Sequence, residues 1–250
     1  MAEKPTEWPR GVGLVRLATI DSTNEEARRR ADAGEAGPLW ILADTQTGGR
    51  GRQGRPWAPV SGNLFATLLI RPQLPAAEAA RLSFAACIAV GDLFETHGAA
   101  PQMKWPNDAL LNSKKAAGVL LEGSGTGDRL EWLAIGIGVN LVDHPPADPN
   151  AAHPPTSLLA ETGKAISTED ALTVIAASLA KWEAVLRLDG FAPLRDAWLS
   201  RAVKLGETIT ARLPGEEVTG VFEDVDQTGA LVLRTKGARR QIHAADIYFA

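Results

Sequence analysis

The chain has 250 residues, 45% of them hydrophobic and 22% charged, with a formal net charge of -4 and a pI near 5.6. This is the composition of an ordinary soluble globular protein with room for a sizeable core, and the acidic balance argues against bulk nucleic-acid binding. Cys87 is the only cysteine, which excludes a disulfide framework and a thiolate metal cluster, and His97, His144, His153 and His243 lack metal-ligand spacing and read as surface or loop residues.

The N-terminal MAEKPTEWPRG is charged and has no apolar leader core, and the longest mostly apolar stretches, such as residues 84–90, fall far short of a membrane span. A cytoplasmic location is expected. Asp21-Ser22-Thr23-Asn24-Glu25-Glu26 then precedes an arginine-rich stretch, and both Ser22 with Glu25 and Thr23 with Glu26 fit the S/T-x-x-E capping box. A helix starts here, and capping alone would account for these hydroxyls.

Residues 39–43 and 64–71 are short apolar runs bounded by turn formers, consistent with buried strands. Between them lies TQTGGRGRQGRPWAP, residues 45–59, with three arginines and four glycines. Gly48, Gly49, Gly51 and Gly54 free the backbone, while Pro56 and Pro59 forbid a following helix. Arg50, Arg52 and Arg55 therefore ride on a loop, where their planar donor forks suit carboxylate or phosphate oxygens. Gly49, Gly51 and Gly54 match G-x-G-x-x-G, but no helix opens at the third glycine to hold a pyrophosphate; Arg55-Pro56 also stands where a P-loop needs Lys-Ser/Thr. A plain solvated arginine and glycine loop is the competing reading.

Residues 79–96 carry a wide apolar face, as expected of a helix packed across the sheet. Pro106-Asn107-Asp108 forms a turn between strand-like segments, and Lys114-Lys115 opens the strand AAGVLLEG. Residues 133–140 form another buried strand, with Gly136 and Gly138 marking close backbone approach. Together these elements make one α/β or α+β domain. Residues 143–155 contain five of the 16 prolines and read as a surface loop. An amphipathic helix follows through Leu172, Ile175, Ala176, Leu179, Trp182 and Leu186, capped by Ser167 or Thr168, and a shorter helix spans residues 194–201. Short β-type runs at residues 208–213, 218–225, 230–234 and 241–249 then suggest a small barrel, whose six Lys/Arg and seven Asp/Glu leave no basic excess.

DSTNEEA at residues 21–27, QTGGRGRQGRPWAPVSGNL at 46–64, KWPNDALLNSKKAAGVLLE at 104–122 and GIGVNL at 136–141 together resemble biotin protein ligases in order and spacing. The stretch from Val203 onward is similar to the small SH3-like barrel of that family. The resemblance implies an α+β fold, with a central mixed sheet flanked by helices in residues 1–202 and an SH3-like C-terminal domain in 203–250. It also implies a two-step reaction. Biotin and MgATP give biotinyl-5′-adenylate, and a lysine of a biotin carboxyl carrier domain then attacks the mixed anhydride.

By the same resemblance, Arg50, Gly51 and Arg52 wrap the biotin carboxylate and the adenylate phosphate, and Lys115 donates at the reacting centre. Arg50, Arg52 and Lys115 are the expected catalytic cations, since negative charge builds up when a carboxylate meets a phosphate. Ser22, Thr23, Asn24 and Gln46 match the needs of biotin's ureido ring, and Gly118 and Leu120 supply backbone and wall. ATP contacts are expected from Arg50, Arg52, Trp57, Lys104, Lys115 and Asn140, the last matching the position that reads adenine. Trp57 suits either the ligand or the core. Asp108 suits Mg²⁺, or else forms a turn with Asn107. The loop should close over a hydrolysable intermediate and become ordered with ligand. Twenty residues precede the first motif, too few for a helix-turn-helix, so a ligase without DNA binding or repressor activity is expected. A lipoate-protein ligase or related acyl-transferase is the nearest alternative, and an RNA-binding protein a remote one. An exposed sheet edge could support a homodimer or docking of the carrier.

Overall fold

The computed structural model describes residues 7–72, 74–126, 129–148, 152–243 and 246–249. In chain order the elements are β1 (Gly13–Ile20), α1 (Thr23–Asp32), β2 (Leu39–Gln46), β3 (Leu64–Ile70), α2 (Ala76–Ala79), α3 (Leu82–Thr96), β4 (Pro101–Lys104), β5 (Asp108–Leu111), β6 (Lys114–Thr126) and β7 (Arg129–Val139). There follow α4 (Leu158–Thr162), α5 (Thr168–Asp189), α6 (Phe191–Leu199), β8 (Thr208–Leu213), β9 (Glu216–Val225), β10 (Leu231–Arg234), β11 (Arg239–Ile242) and β12 (Asp246–Phe249).

Among the described residues the strands form two sheets. The larger has seven strands in the order β1-β2-β3-β7-β6-β5-β4. Only β1 and β2 run parallel, joined through α1; every other neighbouring pair is antiparallel, so the sheet is mixed. Its central strands are nearly continuous apolar runs because both faces are covered. On one face α3, α5 and α6 build the main core around Phe84, Leu93, Leu172, Leu179 and the fully buried Trp198. On the other, α1 lays Ala27 and Ala31 against Leu39, Ile41, Leu69 and Ala134. Residues 82 and 84–94 are all buried, which is why the sequence there is apolar almost all round. The smaller sheet is antiparallel, five strands in the order β11-β10-β9-β8-β12, consistent with an SH3-like fold.

Several expected boundaries move. The single helix over residues 79–96 is divided into α2 and α3, because Ser83 and Phe84 bond back to the carbonyls of Ala80 and Arg81 at 3.1 and 3.0 Å, a three-residue spacing that tightens the joint. The run 241–249 is two strands rather than one, β11 starting earlier and β12 pairing with β8. The helix expected at 194–201 starts at Phe191, directly after Gly190 with φ of 79°. Two elements were not anticipated at all. β1 is a half-exposed edge strand with no continuous apolar run, and α4 is a five-residue turn of helix capped by the Ser157 hydroxyl and ended by left-handed Gly163.

The two sheets are tied together at several points. Trp105 Nε1 donates to Gly229 O at 3.0 Å, and Arg195 pairs with Asp224. Residues 201–203 run along the outer edge of β4, where Met103 N donates to Arg201 O at 2.7 Å and Val203 N to Met103 O at 2.9 Å. Among the described residues no helix is long and apolar enough to cross a membrane.

Asp92 on α3 joins three elements. It accepts from Ser178 Oγ at 2.6 Å and Trp182 Nε1 at 3.2 Å on α5, and from Arg201 Nη2 at 2.9 Å just beyond α6. Removing this carboxylate takes the shared acceptor from Ser178 and Trp182 and one of two carboxylate partners from Arg201, which still meets Glu95 at 2.8 Å. Asp92→Ala is expected to lower the free energy of unfolding by about 3 kcal/mol, measured by urea denaturation, with Asp92→Asn losing less.

Candidate functional site

The face of the sheet beside α1 is shaped by what β7 lacks. Strand register places Thr67, Gly136 and Leu120 in one lateral row, and Phe65, Gly138, Gly118 and Asp108 in the next. Side chains approach these glycines closely. A Cβ at Gly136 would run into Asn24 Oδ1, and one at Gly138 would lie 2.6 Å from the Trp57 indole. Gly118 meets the same ring, with Trp57 Cζ3 3.1 Å from where its Cβ would be. The close approach expected of Gly136 and Gly138 is therefore made by side chains from α1 and from the arginine loop.

Above this platform opens a cavity of about 640 Å³. It is lined by Ser22, Thr23, Asn24 and Gln46 at one end, Lys104, Asp108, Lys115 and Asn140 at the other, and Gly118, Leu120 and the loop residues Arg50, Gly51, Arg52 and Trp57 between and above them. All the site residues expected from sequence thus face one space. A second cavity of about 650 Å³ lies on the helical side, lined largely by groups such as Trp40, Leu68, Ile70 and Leu82. Its Arg71 is turned onto the carbonyls of Ala31, Glu35 and Glu131, and its other charged lining residues are Glu78, Arg81, Glu183 and Arg187. The first cavity, with convergent polar and charged groups, is the functional candidate.

The polar end is a hydrogen-bonded lattice. Thr23 donates to Gln46 Oε1 through both its backbone N, at 2.7 Å, and its hydroxyl, at 3.0 Å. Thr67 Oγ1 lies 2.8 Å from Thr23 Oγ1 and 2.7 Å from Asn24 Oδ1, and Asn24 Nδ2 donates to Glu122 Oε2 at 2.7 Å. The capping box expected at the start of α1 does not form. Ser22 occupies the N-cap position without a side-chain cap hydrogen bond, although it is buried, and its backbone N is met by Asp21 Oδ1 at 2.7 Å. The hydroxyls and amides of this segment are thus turned to the cavity floor, and capping does not account for them.

The opposite end carries two lysines, and the loop brings Arg50 over the polar end. Lys115 Nζ pairs with Asp108 Oδ1 at 2.7 Å and sits 5.6 Å from the Trp57 ring centroid, while Lys104 is buried in the wall. Arg50 pairs with Glu25 and, at 3.3 Å, with Glu122 Oε1. The shared hydrogen bond holds the Glu25 carboxyl below the usual range and the Arg50 guanidinium above its own. The loop bearing Arg50 has a defined course: Gly51 N donates to Arg55 O at 2.7 Å and Trp57 N to Gly49 O at 2.9 Å, around a short turn at Arg52–Gly54.

Asn140 is fixed by its surroundings, its Nδ2 donating to Thr156 O at 2.9 Å and its Oδ1 accepting from Asn63 at 3.4 Å. Asn107 laces the turn to β6 through Val119, so a turn role for it is evident. Among the described residues no cluster of three His, Cys, Asp or Glu could hold a metal. Thr67, Glu25, Glu122 and His153 line or border the site without having been expected from sequence. Glu122 was legible in principle, because a strand period of two puts it on the face of Gly118 and Leu120. His153 lies in a loop as anticipated, but buried against the cavity; burial pushes its imidazole pKa down, and its Nδ1 lies 2.9 Å from the Ser113 carbonyl.

The chain matches the model of the biotin/lipoate A/B protein ligase family over residues 17–140 and that of the biotin protein ligase C terminal domain over residues 204–250. It is 48% identical over 239 residues to a biotin–[acetyl-CoA-carboxylase] ligase of Paracoccus denitrificans, covering 93% of this chain and 99% of the relative. It is 31% identical over 240 residues to the bifunctional ligase/repressor BirA of Bacillus subtilis, covering 95% and 74%. Among solved structures, the biotin protein ligase of Aquifex aeolicus in complex with biotin and ATP superposes with a TM-score of 0.79 at 25% identity, covering 94% of this chain and 97% of that one. The Leishmania major biotin protein ligase with biotinyl-5-AMP gives 0.64 at 25% identity, covering 94% and 100%.

Gly138→Ala would drive a methyl group into the Trp57 ring and lift the arginine loop from the sheet. Trypsin should then cut after Arg50 and Arg52 several-fold faster than in the parent protein, while the melting temperature moves by no more than about 5 °C.

Proposed function

The chain belongs to the biotin/lipoate A/B protein ligase family, and from this premise we propose that its cavity binds biotin and ATP together and carries both halves of protein biotinylation. It is an ATP-dependent biotin protein ligase that forms biotinyl-5′-AMP. The observation that carries the assignment of roles is the polarity of the cavity. A lattice of neutral donors and acceptors lies at one end and two lysines at the other, with the arginine-bearing loop above the glycine platform between them. A molecule with an uncharged, hydrogen-bonding ring and a carboxylate tail fits that order, and biotin is such a molecule.

In this reading Ser22, Thr23, Asn24 and Gln46 hold the ureido ring, and Gly118 and Leu120 form the wall beneath the ligand. The carboxylate oxygen attacks the α-phosphorus of ATP, the bond to the β-phosphate oxygen breaks, and pyrophosphate leaves. Two anions must meet for this, so Lys115, Arg50 and Arg52 act by opposing the charge that accumulates at the reacting centre. Lys104, buried in the wall, adds to the same field, and Trp57 and Asn140 face the nucleotide. In the second step the amine of a carrier lysine attacks the acyl carbon, AMP departs with the bonding pair, and the amine loses a proton.

Magnesium arriving with ATP would neutralise phosphate charge. A cation held mostly by phosphates and water fits a cavity whose lining carboxylates are Asp108 and Asp148, and Asp108 is the residue that would contact it. We read residues 1–202 as the catalytic domain and 203–250 as the closing SH3-like domain, with a carboxylase carrier domain as partner and the ATP-rich cytoplasm as location.

Lys115→Ala is expected to reduce biotin-dependent pyrophosphate exchange by about 100-fold or more with unaltered melting, which a radiolabel exchange assay measures directly. Biotin should support that exchange and lipoate in its place should not. The loop over residues 45–59 should also gain protection from trypsin when biotin and ATP are both present, because a mixed anhydride survives only where water is kept out.

A further inference from the structure

The cation expected to meet the ligand is already engaged. Arg50 of the loop is paired with Glu25 on α1 and with Glu122 on β6, and its side chain retains 38% exposure. Both carboxylates are partly buried in a position to compete for it: the Glu25 side chain is 19% exposed and that of Glu122 is 34% exposed.

Helix and strand periodicity bring both carboxylates to this place, but their contacts go beyond their own elements. Glu25 occupies the position from which a capping-box glutamate would return to the Ser22 backbone N–H, but Asp21 satisfies that donor and leaves Glu25 turned outward to Arg50 and Arg28. Glu122 divides its two oxygens, Oε2 receiving Asn24 of the polar floor at 2.7 Å and Oε1 receiving Arg50 of the loop at 3.3 Å. One continuous chain of contacts therefore runs from Thr67 through Asn24 and Glu122 to Arg50 and Glu25.

We propose that Glu25, assisted by Glu122, is a positioning residue for anion recognition: it holds Arg50 as an internal stand-in for the ligand's carboxylate, and biotin binds by exchanging its own carboxylate for this partner. The inference rests on the biotin reading of the cavity. The lowered carboxyl of Glu25 and raised guanidinium of Arg50 show that the pair is a charged one. The exchange has a defined consequence for specificity. A neutral analogue offers nothing to replace Glu25 and leaves Arg50 where it is, whereas an anion takes Arg50 and releases the loop from α1. Ligand charge, and not ring recognition alone, then decides whether the loop changes partners.

The test is a calorimetric titration of the intact protein with biotin and with biotinamide, its neutral carboxamide. Glu25→Gln keeps the size of the side chain and removes the competing charge. It should tighten biotin by about 3-fold, the range of a partly exposed ion pair, and leave biotinamide unchanged. In an Arg50→Gln background the same substitution should have no effect on biotin. Unchanged or weaker biotin binding by Glu25→Gln overturns the proposal, as does equal tightening of both ligands or persistence of the gain without Arg50. Failure of the parent protein to bind biotin at all would instead overturn the functional reading, and this inference with it.

Discussion

The site depends on two positions in one central strand where there is no side chain. β7 lies between β3 and β6, and at Gly136 and Gly138 it leaves the sheet surface bare. Asn24 comes down onto the first glycine and the Trp57 indole onto the second. Any larger residue would push the floor amide or the loop away. The polar lattice, the placement of the arginine loop and the volume of the cavity all follow from that one steric allowance, while the apolar alternation of the same strand holds the helical core on the other face.

Charge is handled locally. The protein is acidic overall, yet Lys104, Lys115, Arg50 and Arg52 face one space. Acidic neighbours hold two of them: Asp108 holds Lys115, and Glu25 and Glu122 hold Arg50. Pairing of this kind lets cations be concentrated around a half-buried cavity without the repulsion that bare charges would impose on the ligand-free fold. Reaction with anionic substrates then exchanges one set of partners for another, in a setting already oriented for it.

Much of this was legible in the sequence, for identifiable reasons. The central strands and long helices announced themselves because they are buried and strongly patterned, and the arginine loop because glycine and proline exclude regular structure there. The local rules failed where tertiary contacts took over. Ser22, Glu25 and their neighbours spell a capping box, but the adjacent Asp21, together with Gln46 and Arg50 from elsewhere in the fold, claims the same groups. Thr67 and His153 lie outside the quoted motifs, and only strand register and loop path bring them to the site. β1 escaped notice because an edge strand shared with solvent has no sharp period.

The course of residues 201–203 bears on how the chain can be shortened. This segment lies where an eighth strand would, and its bonds to Met103 close the rim of the large sheet on the β4 side. Trp105, at the base of the turn that leads to Asp108, is anchored on Gly229 of the small sheet. A minimal enzyme truncated before Arg201 would thus bare the outer edge of β4 beside the turn that carries Asp108. Such a fragment would invite edge-to-edge aggregation while loosening the carboxylate that holds Lys115. For anyone trimming this protein into a labelling tool, the last fifty or so residues are part of the scaffold that aims the chemistry.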